Sequence, residues 1–176
     1  MINRILVAYG SRAGSTHEIA LAVARVLEAA GADVDVMDVK KVTDISDYRS
    51  IIIGSAVRIG KIIPETMQFA QRFERELRVK PTAYFVVCRT MAEDTPENRY
   101  VVTGYLEPLC KIKKPVSEGL FAGKIDHTKV EPAWRFLLSY VKEGFMLDGD
   151  FRDWDAVNEW ARSLVPLLVT QRAYVR

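Results

Sequence analysis

The sequence predicts an α/β protein: a doubly wound, five-stranded parallel sheet in the order 2-1-3-4-5, with an inserted helical segment between the fifth strand and the last helix. Three observations predict it. Strand-like and helix-like periodicities alternate from the first residues, which calls for parallel strands joined by right-handed helical crossovers. The first strand, Ile2 to Tyr9, is a nearly unbroken apolar run, as a strand covered on both faces must be. The chain of 176 residues is 49% hydrophobic, enough for one domain (1–176) to bury its own core without disulfides or a structural metal.

The elements follow in order. Ile19, Ala20, Val23, Ala24, Val26 and Leu27 recur at helical spacing, so Ser15 to Ala30 is a helix, closed by Gly31 at the C′ position. Val34 to Val39 sits among three aspartates and reads as a half-exposed edge strand. Ser50 to Ser55 is the third strand. Ile63 to Val79 is the second helix, with Pro64 in its first turn. Thr82 to Cys88 is the fourth strand, and Pro96 to Lys111 a helix strained by Gly104 and Pro108. Val116 to Lys124 is a fifth strand broken by glycines. Trp154 to Val169 is the last helix, with Trp160 and Leu164 on one face and Pro166 loosening its end. One segment, 126–153, is surplus to this count.

Composition removes several functions. Two cysteines, Cys88 and Cys110, cannot build a disulfide framework, and with two histidines they make no metal centre. A net charge of +2 is too mild for a nucleic-acid partner. No apolar run approaches a membrane span, and the opening residues lack a signal-peptide pattern, so the expected location is cytoplasmic.

Ligands of such sheets sit at the carboxyl ends of the strands. The loop after the first strand, Gly10 to Thr16, holds two of the three glycines of a dinucleotide fingerprint and no P-loop lysine. The places where a phospho-acceptor domain would cluster aspartates hold Tyr9-Gly10 and Gly54-Ser55, and neither cysteine has the arginine of a small phosphatase. The loop offers the hydroxyls of Ser11, Ser15 and Thr16 beside a helix N-terminus, which suits a phosphate monoester without a metal. The plainer reading is a capped helix start, with Ser15 as N-cap and Glu18 completing a capping box.

Ser11-Arg12-Ala13-Gly14-Ser15-Thr16 resembles the FMN-phosphate loop of flavodoxins, [ST]-x-[TS]-G-x-T, with Ala13 supplying one hydroxyl fewer. The second loop, Gly54-Ser55-Ala56-Val57-Arg58-Ile59-Gly60-Lys61, falls where flavodoxins pack one face of the isoalloxazine ring, and it lacks their frequent tryptophan. It is similar instead to the Gly-[AS]-[SA]-[IV]-Arg-x-Gly segment of the menaquinone-dependent protoporphyrinogen IX dehydrogenases, a likeness that continues to Asp153-Trp154-Asp155.

The resemblance implies a flavodoxin-like fold, a non-covalently bound FMN, and oxidation of protoporphyrinogen IX, a step of heme biosynthesis, with a quinone as electron acceptor. It assigns cofactor contacts to Ser11, Arg12, Ala13, Gly14, Ser15 and Thr16, to Ser55, Ala56, Val57, Arg58, Ile59 and Gly60, and to Cys88, Arg89 and Thr90. Arg58 would stand at the flavin rim with Val57 or Ile59 against the ring, and Gly54 and Gly60 would let the backbone approach its edge. The third loop, Cys88 to Thr95, lacks the stacking aromatic of flavodoxins. Either Tyr100 reaches back from the next helix or the outer ring face is open to substrate. Cys88 reads as a buried small hydrophobe. No residue is nominated as a catalytic acid or base.

Charge separates the enzyme from the rival reading, a flavodoxin-type electron carrier with no small-molecule substrate. The three expected flavin loops carry Arg12, Arg58, Lys61 and Arg89 against Glu93 and Asp94. One cation ~8 Å from the ring, at an effective dielectric of ~20, is worth about 2 kcal/mol. For a two-electron couple that is roughly 45 mV upward, away from a low-potential carrier. In the surplus segment, Trp134, Leu138, Val141 and Phe145 share a helical face within Pro132 to Leu147. That face is expected to pack onto the domain itself or onto a second copy in a homodimer, or to meet an apolar substrate or a membrane surface at the quinone. Arg58, Arg89, Arg99 and Arg135 are expected to meet substrate carboxylates.

Overall fold

The computed structural model of the protein describes residues 3–125 and 149–169. Its main sheet is parallel and consists of β1 (Arg4–Gly10), β2 (Asp33–Asp38), β3 (Ser50–Arg58), β5 (Thr82–Val87) and β6 (Glu118–Phe121). Their spatial order is β2-β1-β3-β5-β6, with β4 (Lys61–Ile62) turned back antiparallel on the end of β3. Counted as five principal strands, this is the doubly wound order 2-1-3-4-5 that the alternation predicts. Helix α1 (Ser15–Ala29) and α5 (Trp154–Leu168) cover one face; α2 (Pro64–Arg72), α3 (Glu74–Val79) and α4 (Pro96–Ile112) cover the other. A small antiparallel pair, β7 (Lys124–Ile125) with β8 (Gly149–Asp150), stands at either end of the surplus segment. Residues 126–148, including the whole face from Pro132 to Leu147 and Arg135, lie outside the described residues.

Alternation along the inner strands produces the two cores. Leu6, Ala8, Ile51, Ile53, Tyr84 and Val86 point to the α2–α4 side, while Ile5, Val7, Ile52, Ala83, Phe85 and Val87 point to α1 and α5. All are almost fully buried. Strand β2 pairs only with β1 and stays half-exposed, as its aspartates foretell. Helix α1 ends in a Schellman motif: Gly31 at φ 90° donates to the Glu28 carbonyl, and Ala32 donates to the Leu27 carbonyl.

Two glycines make room for an aromatic cluster. A Cβ at Gly54 would lie 2.0 Å from Phe85 Cζ on the neighbouring strand, and one at Gly119 would lie 2.7 Å from Phe121 and 2.9 Å from Trp160. Phe85, Phe121 and Trp160 pack with centroids 5.5–6.2 Å apart, joining α5 to the sheet. Gly54 is therefore a packing requirement of the sheet.

The largest departures from the boundaries read in the sequence are three. The Ile63 to Val79 helix is interrupted at Phe73, where φ −105° and ψ 21° let the buried ring pack against Phe69. The third strand runs on to Arg58 because Ile59 and Gly60, both at positive φ, turn it into β4. The fifth strand is shorter, and Lys124 belongs to the separate β7.

At the opposite end of the sheet, Asp35 accepts hydrogen bonds from the Tyr48 hydroxyl (2.8 Å) and Arg4 Nε (3.1 Å), and the Arg4 guanidinium lies 4.9 Å over the Tyr48 ring. Burial, and then the bond to Asp35, push the Tyr48 phenol up to about 12. An unfolded tyrosine ionises near pH 10. The stability from this neutral phenol is thus complete below pH 10 and lost as pH rises toward 12. Burial raises the Tyr84 phenol in the same sense. Tyr48→Phe should flatten the fall in urea-unfolding free energy between pH 10 and 12 and cost about 1 kcal/mol at pH 7. An alkaline slope equal to that of the unaltered protein would refute the assignment.

Candidate functional site

The carboxyl ends of β1, β3 and β5 bring the three sequence-predicted loops around one cavity of about 200 Å³. The first loop contributes Ser11, Arg12, Ala13, Ser15 and Thr16; the second Ala56, Val57 and Arg58; the third Cys88 and Arg89. Ile63, Val87, Gly123 and Lys124 complete the wall. These four escaped the sequence reading. Val87 and Ile63 looked like ordinary core residues, and only the fold brings Gly123 and Lys124 to the start of α1.

Helix α1 opens toward this cavity without a side-chain cap. Its N-cap is Gly14, in the left-handed region at φ 98°, and not Ser15. The capping box is absent for a visible reason: Ser15 Oγ accepts from Lys124 N (3.0 Å) and donates to Lys124 O (3.2 Å), while Glu18 pairs with Arg152. Ser11 Oγ accepts from Gly14 N at 3.0 Å and holds the turn. Thr16 is 1% exposed, lines the cavity, and has no side-chain hydrogen bond to another described residue. The first turn thus presents backbone N–H groups, a positive dipole end and a hydroxyl to an anion.

Charge is redistributed from the sequence expectation. Arg12 Nη2 is paired with Glu65 Oε1 at 2.7 Å, and Lys40 Nζ lies 3.5 Å from the same oxygen. The Glu65 carboxyl is held below its ordinary range by its own backbone N–H and then by Arg12 and Lys40. Arg99 is fixed on Asp94 by two hydrogen bonds of 2.5 and 2.6 Å and lies outside this cavity. Arg58 and Arg89 remain on its wall, and the Arg89 guanidinium is 5.4 Å over the Phe151 ring.

Several expected contacts lie elsewhere. Ser55 is buried and its hydroxyl spans the backbone, donating to Ala56 O and accepting from Ile63 N. Ile59 is 74% exposed at the hairpin tip, so Val57 is the apolar residue on the wall. Gly60 supplies the positive φ of that tip, beside Tyr105. Gly14 shapes the loop, and Thr90 sits in a 3-10 turn (Arg89–Ala92) beyond the cavity. Tyr100 is 84% exposed on α4 and does not reach back. The lining contains no aromatic side chain among the described residues. Burial pushes the Cys88 thiol up, which keeps it protonated and unreactive.

The described residues hold no cluster of three or more His, Cys, Asp or Glu side chains suited to a metal, and no helix among them is long and apolar enough to cross a membrane. The site can bind a phosphate group at α1 and lay a flat apolar group between Val57, Ala56 and Val87, with two guanidiniums at its side.

Comparisons with known proteins bear on the family and the fold. The sequence model of the flavodoxin domain family matches residues 6–146. Over 175 residues the chain is 23% identical to the protoporphyrinogen IX dehydrogenase (quinone) of Escherichia coli strain K12, covering 93% of this chain and 96% of that protein. A protein of the same name from Leishmania major is 25% identical over 182 residues, covering 96% of this chain and 78% of that one. In three dimensions the chain is similar to a solved flavodoxin from the domain Archaea, with TM-score 0.58 and 15% identity over 94% of this chain and 98% of that one. That last likeness is one of fold.

Proposed function

The chain belongs to the flavodoxin domain family, and we propose that within it this protein is an FMN-dependent dehydrogenase that oxidises protoporphyrinogen IX and passes the electrons to a quinone. At the coarser level it is an FMN-binding oxidoreductase. The residues present fit FMN: an uncapped helix start with the Thr16 hydroxyl for the phosphate, and an apolar wall for the ring. Bound FMN supplies the two-electron redox chemistry, and the protein supplies position and field.

One observation carries the enzyme reading: among the described residues the cavity wall has no aromatic to stack on the ring, yet it bears Arg58 and Arg89. A porphyrinogen is a broad apolar macrocycle edged with carboxylates. It needs an uncovered face beside cations, which this wall supplies. In this reading residues 1–176 form one FMN-binding unit, and the inserted 126–153 carries the contact with substrate, a membrane surface or a second copy. Arg58 and Arg89 line the cavity, so in this reading they are the arginines placed to meet propionates.

The test is protoporphyrinogen oxidation by the FMN-loaded protein with a menaquinone analogue present. A rate well above that of free FMN supports the dehydrogenase. A rate no faster, with stable one-electron reduction in a redox titration, makes the protein an electron carrier.

Arg58→Glu gives a second check. Removing a cation and adding an anion both disfavour the negative charge that accumulates on reduction, so the two-electron potential should fall by roughly tens of millivolts. An unchanged potential at low salt would place the Arg58 charge out of reach of the ring.

A further inference from the structure

We propose that Lys124 supplies the positive charge of the FMN phosphate site, and that Ser15 is a positioning residue that fixes Lys124 there. The proposal rests on FMN binding and concerns a residue outside the flavodoxin-like loop. Within that loop the usual donors are depleted. Ala13 has no hydroxyl and the Ser15 hydroxyl is spent on Lys124, which leaves the hydroxyls of Ser11 and Thr16. The loop's one cation, Arg12, is neutralised by Glu65. A phosphate dianion at α1 would meet N–H and hydroxyl donors with no compensating charge from the loop.

Lys124 answers that deficit from β7, just beyond the edge strand β6. It lines the same cavity as Ser11, Ala13 and Thr16, and the residue is exposed. Among the described residues it forms no ion pair; after Arg152, its charge is a lesser cause of the lowered Asp150 carboxyl. Its β-register partner, Asp150, is bound by Arg152 through bonds of 2.7 and 2.5 Å. The placement is closely specified. Ser15 Oγ holds both the N–H and the carbonyl of Lys124, and a Cβ at Gly123 would come within 3.0 Å of Val87 and 3.5 Å of Ser15. The strand therefore crosses directly against the first residue of α1. A lysine suits this task, because a flexible point charge needs no fixed geometry to meet a phosphate.

The experiment measures FMN and riboflavin dissociation constants of the full chain by flavin fluorescence across a salt series. Lys124→Gln should weaken FMN about tenfold at low salt, leave riboflavin within twofold, and flatten the salt dependence of FMN binding. Lys124→Arg should restore most of the affinity and the salt slope. Ser15→Ala should weaken FMN by a smaller factor, and adding it to Lys124→Gln should change little further, because both act through one charge. Lys41→Gln is the control for net charge. Lys124→Gln with wild-type FMN affinity and salt slope, or with equal losses for FMN and riboflavin, would overturn the proposal. If the unaltered protein binds neither flavin, the cofactor reading itself fails, and that result is distinct from either.

Discussion

Gly54→Ala should destabilise the fold by about 3 kcal/mol in urea unfolding, at the upper end of what overpacking a core costs. The added methyl would lie 2.0 Å from Phe85 Cζ and under 2.7 Å from two other ring atoms. Phe85 cannot yield, because Phe121 and Trp160 hold it on the other side and its strand is hydrogen-bonded on both edges. Phe85→Leu shrinks the ring, so a double-mutant cycle should show a favourable coupling above about 1 kcal/mol between the two changes. Gly54→Ala within about 1 kcal/mol of the unaltered protein would mean that the strands readily part here, contrary to the packing.

Thr16→Ala and Ser11→Ala should each weaken FMN binding by about 1–3 kcal/mol while changing riboflavin much less, since only the phosphate is addressed. The two act through different contacts in the cofactor-free protein. Ser11 Oγ also accepts the Gly14 N–H, so its loss should cost about 1 kcal/mol of stability. Thr16 makes no side-chain hydrogen bond to another described residue, so Thr16→Ala should cost the unliganded protein only the packing of one buried methyl, about 1 kcal/mol. Calorimetric titration with both flavins, beside thermal melts without them, reads all four quantities. Equal losses for FMN and riboflavin would show that the loop does not hold the phosphate.

The sequence by itself determined the architecture. Apolar runs such as Ile5 to Ala8 and Ile51 to Ile53 can lie only in strands buried on both faces, and the helical spacing of Ile19, Val23 and Leu27 fixes the crossover between them. Periodicity is local, so it survives in a single line of residues. The three loops were legible for the same reason, because strand ends place them together once the order 2-1-3-4-5 is set. Only the tertiary structure decided which side chains remain available there. Ser15 reads as an N-cap until Lys124, distant in sequence, takes both sides of its hydroxyl. Arg12 reads as a free cation until Glu65 on α2 meets it, and the packing of Phe85 over Gly54 shows only in the folded sheet. Hydrogen bonds, ion pairs and ring contacts of this kind are made between residues far apart in the chain. Each partner is ordinary in its own neighbourhood, and the pairing exists only where the folded sheet brings the two together.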